Sequence, residues 1–440
     1  MADVYGRLTG KAGVCLSTLG PGATNLITGM ADANSDGAPL VAITGQLGTD
    51  KMHLTSHQYL DLEALFKPIT KRTKMIMRPE SVNEIVRLAF EYAESEKPGA
   101  THINLPEDIA KEEVPEGVAR KFITTAPKNK EYADIESIEH AAAAIFQAEH
   151  PVILAGHSAV RAKASKALTE FAPIKWNLKD DHKIIHIDSR PSHVNKLYQP
   201  VTEVIGDISD SLEKIGNRCQ RTKEPEQALA IKRQMSKEHE QYENDMAYPV
   251  KPQKILCDIR SVMGKEDILV SDVGAHKMWI SRHYNCYEPN TCLISNGFAT
   301  MGIAVPGSIA AKMLYSERKV LAVTGDGGFM MNCQEIETAV RMHVPIVVLV
   351  MRDDSYGLIK WKQDDRFGNH CFVDFTNPDF VKMAESMHAV GLRVDKTEDL
   401  KDVLEQAFAS GKVCIIDCPV DYAENTKLTE HLKQMIAELE

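Results

Sequence analysis

The sequence predicts an α/β chain built as three doubly wound, parallel-sheet domains, the middle one short. Three observations carry the class. The chain has 440 residues, about three times a typical domain of ~150. Short apolar runs without alternation recur along it, as strands covered on both faces require. Helical stretches with apolar residues at three- and four-residue spacing lie between those runs, and such alternation yields parallel sheets.

In chain order the expected strands are Gly13–Thr18, Leu40–Thr44, His102–Leu105, Val152–Ala155, Lys183–Asp188, Ile268–Val270, Cys292–Ser295, Val320–Thr324, Ile346–Met351 and Val413–Asp417. Helices are expected over Ser81–Ser95, Ile135–Ala148, Ala162–Phe171, Asn332–Met342, Asp379–His388 and Thr397–Ser410. Asp379 after Pro378 and Thr397 in TEDL supply cap-type residues. Two polar stretches, Ala126–Ala133 and the charge-dense Arg221–Asn244, mark boundaries. They divide the chain into 1–125, 126–220, a linker helix over 221–245, and 246–440. The middle part is short for an α/β domain, since Pro173 and PIKWNLKDDH run almost directly from one helix into the next strand.

Composition excludes several classes. Hydrophobic residues make up 43% and charged ones 26%, a globular balance. No stretch approaches the ~20 continuous apolar residues of a membrane helix, and MADVYGRLTGKAG lacks the apolar core of a signal peptide. The formal net charge of −11 argues against nucleic acid as a partner. Nine cysteines without a CxxC pair argue against a zinc site or a full disulfide set, and a reducing cytoplasm is the expected compartment.

The strongest chemical signal is Val320–Phe329, VLAVTGDGGF. Glycines at a strand-to-helix turn let the backbone approach a phosphate, and an acidic residue there can hold the neutralising cation. A second buried-type strand then ends in Arg352-Asp353-Asp354-Ser355. Asp326 and Asp353 therefore fall at the carboxyl ends of successive parallel strands, where open α/β sheets bind ligands. Mg²⁺ is satisfied by one or two carboxylates together with phosphate and water oxygens. Taken alone, the first piece is a common turn and the second a solvated one; together they favour a site.

GDG followed 27 positions later by Asp353 resembles the thiamine diphosphate signature, and the Asp in place of the more usual Asn resembles the catabolic, flavin-independent acetolactate synthases. GRLTGKAGVCLSTLGPGATNL (6–26) is similar to the start of that family's pyrimidine-binding domain. Residues 55–71 match a further family segment, with Ser56 interrupting its Thr-His-Gln. IIHIDSRP and VIGDI resemble the middle domain; SDVGAHKMW, SNGFATMG and GDGGF resemble the diphosphate domain. The resemblance implies the following roles. Asp326, Asp353 and the Ser355 carbonyl hold Mg²⁺. Ala275, His276, Ala299, Gly325, Gly327 and Gly328 lie along the cofactor. Met301 supports its bent conformation, and Gln46, His57 and Gln58 face substrate from another subunit. The implied reaction condenses two pyruvates to 2-acetolactate and CO₂ through an enamine on thiamine diphosphate, serving branched-chain amino acid or acetoin synthesis. A homodimer or homotetramer is implied, and FAD is not expected.

Measured against the resemblance, the first and middle domains are incomplete: the family's His-Glu-Gln, whose Glu bonds the pyrimidine ring, has no counterpart, so impaired activity is expected, and its first strands have none either, so an exposed sheet edge and an apolar face are expected. Another thiamine diphosphate-dependent 2-oxoacid carboligase or decarboxylase, or a non-catalytic cofactor-binding remnant, are the alternatives. A nicotinamide or flavin dehydrogenase is disfavoured, because no GxGxxG follows a strand.

Overall fold

A computed structural model describes residues 1–53, 55–114, 131–148, 152–153, 156, 183–192, 199–219 and 226–428. The chain divides into two compact units, Met1–Phe122 with Lys232–Glu440, and Ile123–Ile231.

The first unit opens with a four-stranded sheet of β1 (Gly13–Ser17), β2 (Leu40–Gln46), β3 (Arg72–Met75) and β4 (Ala100–Pro106), in the order β1-β2-β4-β3 and parallel throughout. The apolar runs at β2 and β4 occupy the middle because only central strands need both faces covered. β1 is an edge strand, and its Val14 and Leu16 are exposed. In the second unit the described strands β5 (Ile184–Asp188) and β6 (Pro200–Ile205) pair in parallel. The helices Ile135–Gln147 and Ile208–Arg218 contribute Ile138, Ala141 and Ile215 to a core shared with Val204 on β6.

Returning to the first unit, β7 (Ile268–Ser271), β8 (Cys292–Ile294), β9 (Val320–Gly325), β10 (Val347–Arg352), β11 (Val390–Arg393) and β12 (Cys414–Pro419) form a six-stranded sheet in the order β11-β12-β10-β9-β7-β8. All its pairs are parallel. The two-residue period of a strand splits its apolar run between two cores. Leu321, Val323, Leu349 and Met351 face helices Pro252–Val262, Ala275–His283 and Leu400–Ala409. Ala322, Val348 and Val350 face helices Ala304–Leu314, Glu335–Arg341 and Phe380–Ser386.

Several local expectations need correction. The helix after GDGG begins at Asp326, with Gly325 as its N-cap; it runs Asp326–Asn332, and a separate helix, Glu335–Arg341, follows. Glycine has poor helix propensity, yet a Cβ on Gly328 would lie 3.0 Å from Asp272 Oδ1, so close packing favours glycine inside this first turn. Thr397 lies in a 3₁₀ turn and caps nothing; its hydroxyl donates to the Ala247 carbonyl at 2.5 Å. Asp379 does cap its helix, accepting from Val381 N and Lys382 N. β3, β6 and β11 were not among the expected strands. The expected linker helix spans Glu226–Glu243 among the described residues. Of the expected strand 152–155 only Val152 and Ile153 are described, outside any strand, and the expected helix 162–171 and the segment 172–182 lie outside the described residues.

All nine cysteines are free thiols. Among the described residues no helix is long and apolar enough to cross a membrane.

Candidate active site

In the six-stranded sheet the chain leaves β7 toward β8 on one side and β9 toward β10 on the other. The carboxyl ends of β7, β9 and β10 therefore bracket a topological switch point, where such sheets leave a crevice. A cavity opens there. Its lining brings together Ala275, His276, Met301, Gly325, Asp326, Gly327, Gly328, Asp353 and Ser355, with Val273, Gly274, Tyr356, Gly357 and Tyr422 among their neighbours.

Asp326 stands at the start of its helix and is 1% exposed. Its Oδ1 accepts from its neighbour Gly327 N at 2.9 Å, and its Oδ2 accepts from Asp354 N at 2.7 Å, Asp353 N at 3.3 Å and Asn377 Nδ2 at 2.7 Å. Burial still pushes its pKa up against these donors. Asp353 follows β10 directly and is half-buried; desolvation together with the Asp326 charge raises its pKa to about 7. Ser355 Oγ donates to Asp353 Oδ2 at 2.8 Å. A Cβ on Gly357 would lie 2.4 Å from that same oxygen, so glycine is what lets the carboxylate occupy this position.

The opposite wall comes from the end of β7. His276 is 2% exposed, burial lowers its pKa to about 4, and among the described residues its Nε2 has no hydrogen-bond partner. The Tyr422 hydroxyl, also buried, forms no hydrogen bond of normal geometry, although the His276 backbone amide acts on it electrostatically. Asp272 orders the turn beneath. Its carboxylate accepts from Val273 N at 2.7 Å, Gly302 N at 2.8 Å and Ala304 N at 3.1 Å, which fixes the backbone just after Met301.

Ala299 and Gln58 are not among the lining residues. Ala299 is exposed with a φ of 56°. Gln58 is exposed with a φ of 59°, its backbone packed so closely on Gly20 that a Cβ there would lie 2.9 Å from it. Gln46 is buried and occupied: its Nε2 donates to the Leu60 carbonyl at 2.9 Å and its Oε1 accepts from Leu47 N at 3.0 Å. Among the described residues no glutamate lines the cavity.

Residues 1–65 match the family description "Thiamine pyrophosphate enzyme, N-terminal TPP binding domain", and residues 272–418 match "Thiamine pyrophosphate enzyme, C-terminal TPP binding domain". The chain is 34% identical to an acetolactate synthase of Bacillus subtilis, over 97% of this chain and 85% of that protein. The chain belongs to the thiamine pyrophosphate enzyme family. Within it, the chain is also 30% identical to a catabolic acetolactate synthase of Raoultella terrigena, over 99% of this chain and 89% of that protein. A probable acetolactate synthase large subunit of Methanococcus aeolicus is 29% identical over 96% of this chain and 83% of that protein. The Bacillus match runs over 494 positions against 440 residues here, so that relative carries internal stretches that this chain lacks.

The residues present fit the family's cofactor. Two carboxylates, Asp326 buried and Asp353 half-buried, stand at adjacent strand ends, with no basic side chain among the lining residues other than the neutral His276. Among the described residues no group of three or more His, Cys, Asp or Glu could hold a metal. A cation here would therefore complete its shell from backbone carbonyl, water and phosphate oxygens, as Mg²⁺ commonly does. Among the described residues the buried His276 Nε2 has no partner, as suits a group that a ligand meets.

Asp272, Asn377 and Tyr422 are the site residues that the sequence reading missed. Asp272 opens the quoted SDVGAHKMW, and Asn377 immediately precedes the Pro378-Asp379 cap, so both had a local signal. Tyr422 lies beyond β12 and reaches the cavity only through the fold.

Proposed function

We propose that this chain catalyses the decarboxylating condensation of two pyruvates to 2-acetolactate and CO₂, with thiamine diphosphate and Mg²⁺ as cofactors and without FAD. One observation carries the reading. Asp326 and Asp353, at adjacent strand ends, share one cavity with the unpaired His276 Nε2 and with Met301. The similarity to acetolactate synthases over nearly the whole chain supports the choice of reaction.

Thiamine diphosphate, when bound, supplies an electron sink for decarboxylation of a 2-oxoacid. The chain's own residues hold and orient it. Asp326, Asp353 and the Ser355 carbonyl would ligate the divalent cation. The backbone of Gly327 and Gly328, at the start of a helix, would face the diphosphate. His276, neutral near pH 7 because burial lowers its pKa to about 4, can meet a ligand oxygen or water through Nε2 without a charge. Met301 presents an apolar surface to the cavity, held by the Asp272 turn. His57 and Gln58, exposed and away from this cavity, would serve the site of a second copy in a homodimer or homotetramer.

A second reading within the family is a different 2-oxoacid carboligase or decarboxylase. It is left open by 28% identity, over 94% of this chain, to a putative thiamine pyrophosphate-containing protein of Bacillus subtilis, a name that carries the cofactor and no reaction. Product analysis separates the two. Incubation of the full chain with pyruvate, thiamine diphosphate and Mg²⁺ is expected to yield one 2-acetolactate per CO₂. Acetaldehyde as the sole product would favour the second reading, and cofactor binding without any turnover would leave a non-catalytic binder.

A further inference from the structure

The cavity wall that carries Met301 is anchored to a different part of the chain. Helix Ala2–Thr9 and helix Ile27–Asp36 each contribute acidic groups around one buried guanidinium. Arg7 pairs with Asp3, with Asp32 at 2.7 Å and with Asp36 at 2.8 Å, and also donates to the Ile294 carbonyl at 3.3 Å. The two carboxylates of the second helix then reach the segment that follows β8. Asp36 accepts from Asn296 N at 3.0 Å and Gly297 N at 2.5 Å. Asp32 accepts from the Ser295 hydroxyl at 2.5 Å, and that hydroxyl in turn accepts from Thr300 N at 3.1 Å. Lys277 Nζ donates to the Ser295 carbonyl at 2.7 Å. Gly297 lets the two segments close on each other, because a Cβ there would lie 2.5 Å from Asp36 Oδ1 and 2.8 Å from Ser35.

The segment 295–304 is thus held at both ends. The Arg7–Asp32–Asp36 group fixes its beginning, Asp272 fixes Gly302 and Ala304, and Met301 lies between. Between the anchors Phe298 and Ala299 are exposed, and Ala299 takes a φ of 56°, which an alanine adopts only when its surroundings hold it there. Hydrogen bonds to a charged acceptor are the strong ones. Burial raises the pKa of Asp32, whereas at Asp36 the Arg7 charge and the Asn296 and Gly297 amides outweigh burial and lower it. A lysine could not replace it, since one ammonium lacks the planar fork that spans several carboxylates.

We propose that Arg7, Asp32 and Asp36 form a positioning clamp that sets where Met301 stands in the cavity, so that the amino-terminal helices control cofactor affinity without touching the cofactor. The link to cofactor rests on the function proposed above, whereas the clamp itself does not.

The test uses the full chain with Asp36→Asn and, as a milder variant, Ser295→Ala. The amide introduced by Asp36→Asn retains one acceptor for two backbone N–H groups and places a donor beside Arg7. Ser295→Ala removes only the relay to Thr300. Hydrogen–deuterium exchange of the cofactor-free proteins is expected to be on the order of tenfold faster across 296–302, with β9 and β10 unchanged. Thiamine diphosphate half-saturation, read by tryptophan fluorescence at fixed Mg²⁺, is expected to rise by about the same factor. Unchanged exchange across 296–302, or exchange raised equally in β9 and β10, would overturn the clamp. Faster loop exchange with unchanged half-saturation would overturn its control of the cavity. If the unsubstituted chain binds no thiamine diphosphate, the proposed function fails, and the exchange result alone decides the clamp.

Discussion

Two histidines of this chain are buried to a similar degree and differ in what their ring nitrogens meet. His102 on β4 and His276 after β7 are 1% and 2% exposed, and burial lowers the pKa of each to about 4. His102 has both ring nitrogens engaged, by Thr44 Oγ1 at 2.9 Å and Thr73 Oγ1 at 2.6 Å, and Phe66 stacks on its ring at 4.2 Å between centroids. His276 leaves Nε2 unpaired at a cavity that also holds two carboxylates. A lowered pKa therefore does not distinguish a structural histidine from a binding one. The distinguishing observation is the unmade hydrogen bond, because a buried polar group without a partner costs about 1–3 kcal/mol unless a ligand supplies one. The same contrast separates the two sheets: in the four-stranded sheet the buried histidine is satisfied internally, and at the switch point of the six-stranded sheet the His276 Nε2 has no partner among the described residues.

The contrast can be broken in several places. Asp326→Ala removes a carboxylate from the cavity, and Mg²⁺-dependent binding of thiamine diphosphate is expected to weaken by more than the ~100-fold upper range for outer-shell partners. Adding EDTA to the unsubstituted protein should have a comparable effect; calorimetric titration reads both. Asn377→Ala leaves both carboxylates in place but removes the Nδ2 donor shared by Asp326 and Asp354. Mg²⁺ affinity is then expected to fall by about 10–100-fold.

Leucine at each histidine sharpens the comparison. His276→Leu is expected to weaken cofactor binding by about tenfold while changing the stability of the cofactor-free protein by no more than about 1 kcal/mol, since it removes the unsatisfied Nε2 along with the ring's hydrogen bond to the Asp272 backbone. His102→Leu should do the reverse, costing about 1–3 kcal/mol as Thr73 loses its ring partner and Thr44 keeps only the longer bond to Asn104, and leaving cofactor affinity unchanged. Urea denaturation and fluorescence titration give the two readouts; matching behaviour of the two variants would dissolve the distinction.

The smallest effect is in the pH dependence. The folded pKa of His102 lies near 4 and its reference value is 6.5. The unfolded chain therefore binds more protons between those values, and stability is lost as pH falls from 6.5 toward 4. Asp353 acts in the opposite sense in the cofactor-free protein, its contribution being present below 3.8 and lost as pH rises through about 7. Replacing His102 by Asn is expected to remove up to about 1.4 kcal/mol per pH unit of acid sensitivity within the histidine window, measured by urea midpoints at fixed ionic strength.

The central strands were legible in the sequence because strands covered on both faces must be continuously apolar, as VVLVMR and VLAVTG are. β3 and β11 were not. Both are edge strands, and RTKM and VGLR need an apolar side toward one neighbour only. The carboxylate pair of the site was legible because glycines and acids cluster at strand ends. The Asp326–Asp353 register then follows from two adjacent parallel strands. Tyr422 and the Arg7 clamp were invisible for the converse reason, since their meaning depends on contacts between residues far apart in the chain. Gly327 and Gly328 had the right position and an incomplete reason. Packing against Tyr356 and Asp272 constrains them as closely as a phosphate would.

The central claim is that the carboxyl ends of β7, β9 and β10 bind thiamine diphosphate through a divalent cation held by Asp326 and Asp353. Calorimetric titration of thiamine diphosphate into the full chain, with and without Mg²⁺, and into Asp326→Ala, tests it most directly. Saturable one-site binding that requires both Mg²⁺ and Asp326 is the expected result. Binding of equal strength without Mg²⁺, or undiminished in Asp326→Ala, would contradict it.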